Sequence, residues 1–474
     1  MSKLIVLSNR VTLPEPGTTQ AGGLAVALED ALNGIGGIWM GWNGHRSQQK
    51  QHKFDVLQHG AIAYHTCRLS EQEYQGYYCN YANGALWPLM HDQPQYIQYE
   101  PEDYRIYQEV NQKFAQQLKQ IAQPNDTIWI HDYHFLSVAH YCRKLGMKNR
   151  IGFFLHIPFP AIQQWRSLAE CQEIAAHIAQ YDLFGLQTQQ DQKHCYEFLR
   201  QSLNLSSLSP YSLSTTHGHI EVKAYPISVH PGAIQRRASQ IEHQQQQPFQ
   251  LEPGKKHIIS VDRIDYSKGL LQKVSAIEHL LNHSPEWQEK FKVFQIACPC
   301  RLEVQTYAQL YKDFQQAVTD LNQHYTTPDH PVFECSYDSV AHHQLMQLYR
   351  QAGICWVNSV KDGMNLVAKE YIAAQDPEDP GVLILSKYAG AAEQMKQALL
   401  VDPHDIKSMT RAIQQAVKMS KSERLARYSA LFKSLQDYDI VRWRNDFLHD
   451  LKRRSPASMY RLLSGQQHPL HLHS

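Results

Sequence analysis

Two successive series of short apolar runs, each spaced by longer amphipathic stretches, limit what this chain can fold into. LIVLS (4–8), TIWIH (127–131), RIGFFLH (150–156) and DLFGLQT (182–188) form the first series. HIISVD (257–262), KVFQIA (292–297), PVFEC (331–335), GICWVN (353–358) and GVLILS (381–386) form the second. Runs this short and this apolar fit buried strands, and the stretches between them, such as EVNQKFAQQLKQIA and LLQKVSAIEHLLNH, fit helices. The alternation predicts an α/β fold of two doubly wound halves. A chain of 474 residues is also too long for one ordinary core. AYPISVHPG, QQQQP and LEPGKK lie between the series and carry Pro226, Pro231, Pro248, Pro253 and Gly254, so the boundary is placed near residue 232. This makes 1–232 the first domain and 233–435 the second. A helical stretch over 436–456 and a polar tail over 457–474 follow.

Bulk properties exclude several classes. Lys plus Arg (46) nearly balances Asp plus Glu (45), so no global field favours nucleic acid or an acidic membrane. LIVL is too short for a signal-peptide core, and no apolar run reaches the roughly 20 residues of a membrane span. Nine cysteines without a framework spacing fit reduced thiols, and CPC (Cys298, Cys300) lacks the CxxC spacing of a redox or zinc site. A cytoplasmic protein with no metal and no cofactor is the expectation; a homo-oligomer stays open. GxGxxG after a strand and GxxxxGK[ST] are both absent, which sets aside a typical dinucleotide dehydrogenase or P-loop NTPase.

Charged residues at strand ends point to a ligand instead. VKDGMNLVAKEY (360–371) follows the strand GICWVN and opens a helix. In an open parallel sheet ligands bind at this edge, and free amides near Met364 to Val367 suit an anion. Glu370, about one turn on, would reach a sugar attached to it. VDRIDYSKG (261–269) brings Arg263 and Lys268 to a strand end, where two cations suit a diphosphate. The alternative is a surface salt-bridge cluster with Asp262 and Asp265. Arg301, after FKVFQIACPC, has the same two readings. In the first half, SNR ends the first strand with Arg10, and Gly22 and Gly23 permit close backbone approach. YYCNYANGALWP (77–88) reads as an aromatic loop suited to a sugar ring or simply as an apolar one. Asp132 and His156 at strand ends either bond sugar hydroxyls or are satisfied locally.

As a set, SNR, AGGLAVAL, YYCNYANGALWP, IWIHDYH, RIGFFLHIPFP, VDRIDYSKG and KDGMNLVAKEYIAAQD resemble the trehalose-6-phosphate synthases in order and spacing over about residues 1 to 450. The likeness is to the bacterial form without an appended phosphatase-like domain. It implies a retaining GT-B glycosyltransferase: two facing Rossmann-like domains, the site in the cleft, and residues 436–456 packed back on the first domain. It further implies glucose transfer from a nucleotide sugar, usually UDP-glucose, to glucose 6-phosphate, with no membrane or nucleic-acid partner. Matched by position, the donor would meet Arg263 and Lys268 at its diphosphate and Asp362 with the Gly363, Met364 and Asn365 amides at its glucosyl hydroxyls. Leu366 and Val367 would lie against the phosphates, Glu370 at the ribose and His156 at the glucose. Gly22, Gly23 and Val340 would lie beside the donor. Arg10, Tyr78, Trp87, Asp132 and Arg301 would take the acceptor, the two arginines at its phosphate. Asp132, His156, Arg263, Lys268 and Asp362 are the catalytic candidates. Departures from the family pattern are AIQQW after HIPFP, ACPCR around Arg301, Lys361 before Asp362, and the base-reading stretch Tyr337 to Val340. A transferase with another acceptor, or a silent sensing or scaffold homologue, are the competing readings. The intact set Arg10, Asp132, Arg263, Lys268, Arg301 and Glu370 argues against the silent one.

Overall fold

The computed structural model describes residues 2–14, 28–29, 32, 36–51, 53–240, 249, 251–252, 254–325 and 331–453. Gly22 and Gly23 lie outside them. One sheet is built from β1 (Leu4–Arg10), β2 (Gly37–Ser47), β3 (Asp55–His59), β4 (Ile62–Ser70), β5 (Thr127–His131), β6 (Arg150–Phe154), β7 (Leu183–Leu186), β8 (Ser207–Ser209), β9 (Ser212–Thr215) and β10 (Gly218–Ala224). Its order is β3-β4-β2-β1-β5-β6-β7-β10-β9-β8, parallel from β4 to β10 and antiparallel only where β3, β9 and β8 join. The second sheet holds β11 (Lys256–Arg263), β12 (Phe291–Cys298), β13 (Phe333–Ser336), β14 (Ile354–Val357), β15 (Val382–Ser386) and β16 (Leu399–Val401). It is parallel throughout, in the order β13-β12-β11-β14-β15-β16.

Apart from PVFEC, which is the partly buried edge strand β13, the apolar runs form the inner strands of both sheets; β5, β14 and β15, buried on both faces, have no exposed residue. The additional strands lack that signature. β3 is exposed along its whole length as an edge strand, β2 is interrupted by Gly37, Gly41 and Gly44, and β8 and β9 are short and serine-rich. The aromatic stretch read as a loop is a helix: Tyr74–Leu86 winds with π-type bonding and runs into a short turn at Trp87–Met90. Its aromatic and small side chains are buried in the first core, and that burial outweighs the glycines that suggested a loop.

The chain does not end on the second sheet. The helix Ile440–Lys452 returns to the first, where Phe447 packs against Trp129 with ring centroids 4.8 Å apart. A Cβ on Gly185 would lie 2.7 Å from the Phe447 ring, so β7 needs glycine at that contact. Arg150 Nε donates to the Leu451 carbonyl at 3.0 Å, and Tyr225 donates to Asp450 at 2.6 Å. Among the described residues no helix is long and apolar enough to cross a membrane.

Candidate active site between the two sheets

The carboxyl ends of β6 and β7 face those of β11 and β14 across a cavity of about 460 Å³. Gly363 closes one wall: a Cβ there would lie 2.3 Å from the His156 carbonyl, so no other residue lets the two backbones meet so closely. The second-sheet side of the cavity is lined by Arg263, Lys268, Val340, Asp362, Met364, Asn365, Leu366, Val367 and Glu370, with His156 opposite. Asn365 caps the Leu366–Ala374 helix, its side-chain oxygen accepting from the Ala368 amide at 3.1 Å, so the first turn opens toward the cavity. Glu370 lies 3.7 Å from His342, a cavity residue with no individual sequence signal.

Of the salt-bridge alternative, the pairing of Arg263 and Lys268 with Asp262 and Asp265 does not form, whereas Arg301 does take Asp265. Asp262 pairs with buried Lys273 at 2.6 Å, Asp265 with Arg301 at 3.2 Å, and Lys268 with Asp362 at 2.6 Å. Arg263 makes no ion pair among the described residues; its guanidinium lies 5.4 Å from the centre of the Trp87 ring. Burial alone would raise the Asp362 carboxyl, but Lys268, with a further bond from Asn365, holds it below its ordinary value. Ser359 donates to the same oxygen at 3.1 Å.

A second constellation adjoins the cavity. Arg301 reaches across from the end of β12 and lies 4.0 Å from the centre of the Trp87 ring. It donates to Asp265 at 3.2 Å, to the Tyr307 hydroxyl at 2.7 Å and to the Tyr133 hydroxyl at 3.3 Å. Tyr133 in turn donates to Asn83 Oδ1 at 2.8 Å, and the Asn83 amide donates to the Tyr78 carbonyl at 2.8 Å. Burial would raise the Asp265 carboxyl, yet Arg301 and Arg263 bring it down to about 2. Asp132 behaves in the opposite sense. Burial pushes it up to about 6, against bonds from the His156 and Tyr133 amides and the fields of Arg263 and Arg301. The His156 amide, 3.2 Å from Asp132 Oδ1, ties this group to the cavity. Tyr78 stacks on His134 at 5.8 Å. Arg10 stays exposed at the end of β1, its guanidinium over the Gly44 backbone.

Backbone strain collects at the same place. Of five described non-glycine residues with positive φ, three are Asp132 (75°), Arg301 (52°) and Asn365 (81°). Such conformations cost roughly 1–3 kcal/mol each and persist where function holds them. No group of three or more His, Cys, Asp or Glu among the described residues is placed to hold a metal ion.

The family model for glycosyltransferase family 20 matches residues 8–453. The chain belongs to glycosyltransferase family 20. A family 20 relative, the trehalose-6-phosphate synthase of Sodalis glossinidius, is 39% identical over 457 residues, 96% of each chain. Two solved structures superpose closely. The Escherichia coli protein bound with UDP-2-fluoro glucose shares 34% identity at a TM-score of 0.89, covering 96% of this chain and all of that one. The UDP-forming α,α-trehalose-phosphate synthase of Burkholderia xenovorans in complex with glucose 6-phosphate shares 36% at 0.89, covering 95% and 100%. The two facing parallel sheets are therefore the GT-B arrangement of family 20. Within it, Asp265, Tyr133, Tyr307 and Asn83 hold the Arg301 constellation; only Asp265 is named from the sequence, and there as a salt-bridge partner of other residues. Asp265, Tyr133 and Asn83 lie inside VDRIDYSKG, IWIHDYH and YYCNYANGALWP, the latter two without being singled out; Tyr307 lies in none of these motifs.

Proposed function

We propose that this chain transfers glucose, with retention, from UDP-glucose to glucose 6-phosphate, releasing α,α-trehalose 6-phosphate and UDP. The observation that carries the reading is the cavity itself. Two cations and a helix N-terminus line one wall, His156 faces them, and a cationic aromatic pocket adjoins. Arg263 and Lys268 meet the diphosphate, the Leu366 and Val367 amides assist them, and Glu370 takes the ribose. Asp362, with the Gly363 to Asn365 backbone, and His156 orient the transferred glucose. Arg301 and Arg10 take the acceptor phosphate over Trp87, and Tyr78 and Asp132 orient its ring. Val340 lies at the base. The reaction is placed in the cytoplasm, where the nine cysteines stay as thiols.

The hard step is loss of a diphosphate while the anomeric carbon becomes cationic. Fixed charge on the departing oxygens favours that transition state over the ground state. The acceptor hydroxyl oxygen bonds the anomeric carbon on the face that the diphosphate leaves, and its proton passes to the departing phosphate oxygen. A carboxylate nucleophile is the other route to retention. Asp362 is ill suited to it, because one oxygen already accepts from Lys268, Ser359 and Asn365.

The test incubates the protein with UDP-glucose and glucose 6-phosphate and measures UDP and trehalose 6-phosphate together. Equimolar formation of both is expected. UDP release that ignores glucose 6-phosphate but rises with another sugar phosphate would reassign the acceptor, and no release at all would favour a silent homologue.

A further inference from the structure

His131 ends β5 fully buried, and its ring is enclosed by Trp129 at 4.5 Å and Phe154 at 6.3 Å. One polar contact is open to it: its Nδ1 lies 3.0 Å from Nε2 of His156. The ring planes differ by 21° and the centroids lie 5.3 Å apart, so the two imidazoles meet edge to edge. Burial draws both rings away from protonation, His131 well below its ordinary value and His156 to about 3. Each therefore carries one proton at neutral pH, and one nitrogen of the touching pair must donate to the other.

Two arrangements satisfy that bond. In one, His131 donates from Nδ1, its Nε2 keeps a bare lone pair, and His156 must carry its own proton on Nδ1. In the other, His156 donates from Nε2, which forces the His131 proton onto Nε2. That atom is buried and has no hydrogen-bond partner among the described residues. A buried N–H without an acceptor is the rarer and costlier defect, so the first arrangement wins. His156 lines the cavity, and Nδ1 is the ring nitrogen left for a ligand.

We propose that His131 is a positioning residue that locks His156 in the Nδ1–H tautomer, so that His156 meets the donor sugar as a hydrogen-bond donor to one hydroxyl oxygen. This rests on the reading that His156 faces the transferred glucose. It adds a specificity rule: a sugar lacking that hydroxyl leaves the N–H unpaired and is rejected.

The tautomer is read directly from long-range ¹H–¹⁵N correlations of the imidazoles in the wild-type protein with UDP bound, His131 being assigned by its loss in His131→Leu. Protons on Nδ1 of both rings are expected; a proton on Nε2 of His131 overturns the proposal, whatever the protein's activity proves to be. Kinetics give the second arm. The amide of His131→Asn can stand where Nδ1–H stood, so kcat/KM for UDP-glucose should stay within about threefold. His131→Leu frees the His156 ring and should lose roughly tenfold to a hundredfold, with the Kd of UDP itself unchanged. Equal losses in both variants, or none in the leucine variant, would make His131 a core residue only.

Discussion

Arg263 ends β11 and Arg301 follows the neighbouring β12, and both lie over the same Trp87 ring, yet their surroundings differ. Arg301 is closed in, its side chain 8% exposed against an Asp265 with no exposure. Two tyrosine hydroxyls complete its shell. Arg263 is exposed at the strand end and has no carboxylate partner among the described residues. On the proposed reaction, the contrast separates two ways of offering charge to a phosphate. Arg301 is preorganised, and a ligand must share it with Asp265; Arg263 is free, so its whole charge is available to what develops on a leaving group.

Arg301→Ala is the harshest way to break this comparison. It leaves Asp265 buried and unpaired, which should cost about 3–5 kcal/mol of stability in chemical denaturation. The pH dependence has a definite sign. With its carboxyl near 2 in the fold and about 3.9 unfolded, Asp265 stabilises fully above pH 4, and that contribution fades as pH falls toward 2. Without Arg301 burial draws that carboxyl back up toward or past its unfolded value, so the loss of stability on acidification should shrink or vanish. Unchanged stability in the variant would show that the pair is not what closes this pocket.

Arg263→Ala should do the reverse: little change in stability, but a kcat lower by about 10²–10³, or roughly 2.7–4 kcal/mol. A change confined to KM would place Arg263 on ground-state binding. Asp132→Asn is expected to be smaller and of opposite sign in stability. Below about pH 4 both folded and unfolded carboxyls hold the proton, and nothing is lost. As pH rises to about 6 the unfolded group ionises first, so the fold is penalised. Asparagine removes that penalty and should add on the order of 1 kcal/mol at neutral pH while slowing turnover. Thermal melts at pH 4 and pH 7 would show it, and equal shifts at both would refute it. Lys361→Ala sharpens the comparison from the weak end. The 2.8 Å pair with Asp92 also spans the sheets, but both groups are partly exposed, and about 0–1 kcal/mol is expected.

The strand-end residues were legible because a parallel sheet delivers its carboxyl ends to one edge, and Arg263, Asp362, Asp132 and His156 each follow an apolar run. The shell of Arg301 was not. It depends on β12 lying beside β11, with Cys298 opposite Arg263, and on a helix from the other domain presenting Trp87. Neither pairing register nor interdomain contact has a local pattern. The same limit hid β2 and β3: β2 becomes a strand between β1 and β4, and β3 beside β4. Nor did the local sequence show that Asp262 pairs with Lys273, eleven residues further along the chain, rather than with Arg263 or Lys268.

The returning helix Ile440–Lys452 has a consequence for how the chain is made. Synthesis runs from the first sheet to the second, and domains generally fold as they emerge. Here the apolar flank formed by Trp129 and Phe154 is covered by Trp443 and Phe447, which leave the ribosome after the whole second domain. Until then the first domain holds a greasy face open to solvent or to a chaperone. Release by stalling or truncation before residue 440 should therefore yield a nascent chain that aggregates through its oldest part, even though every strand of both sheets has already been translated.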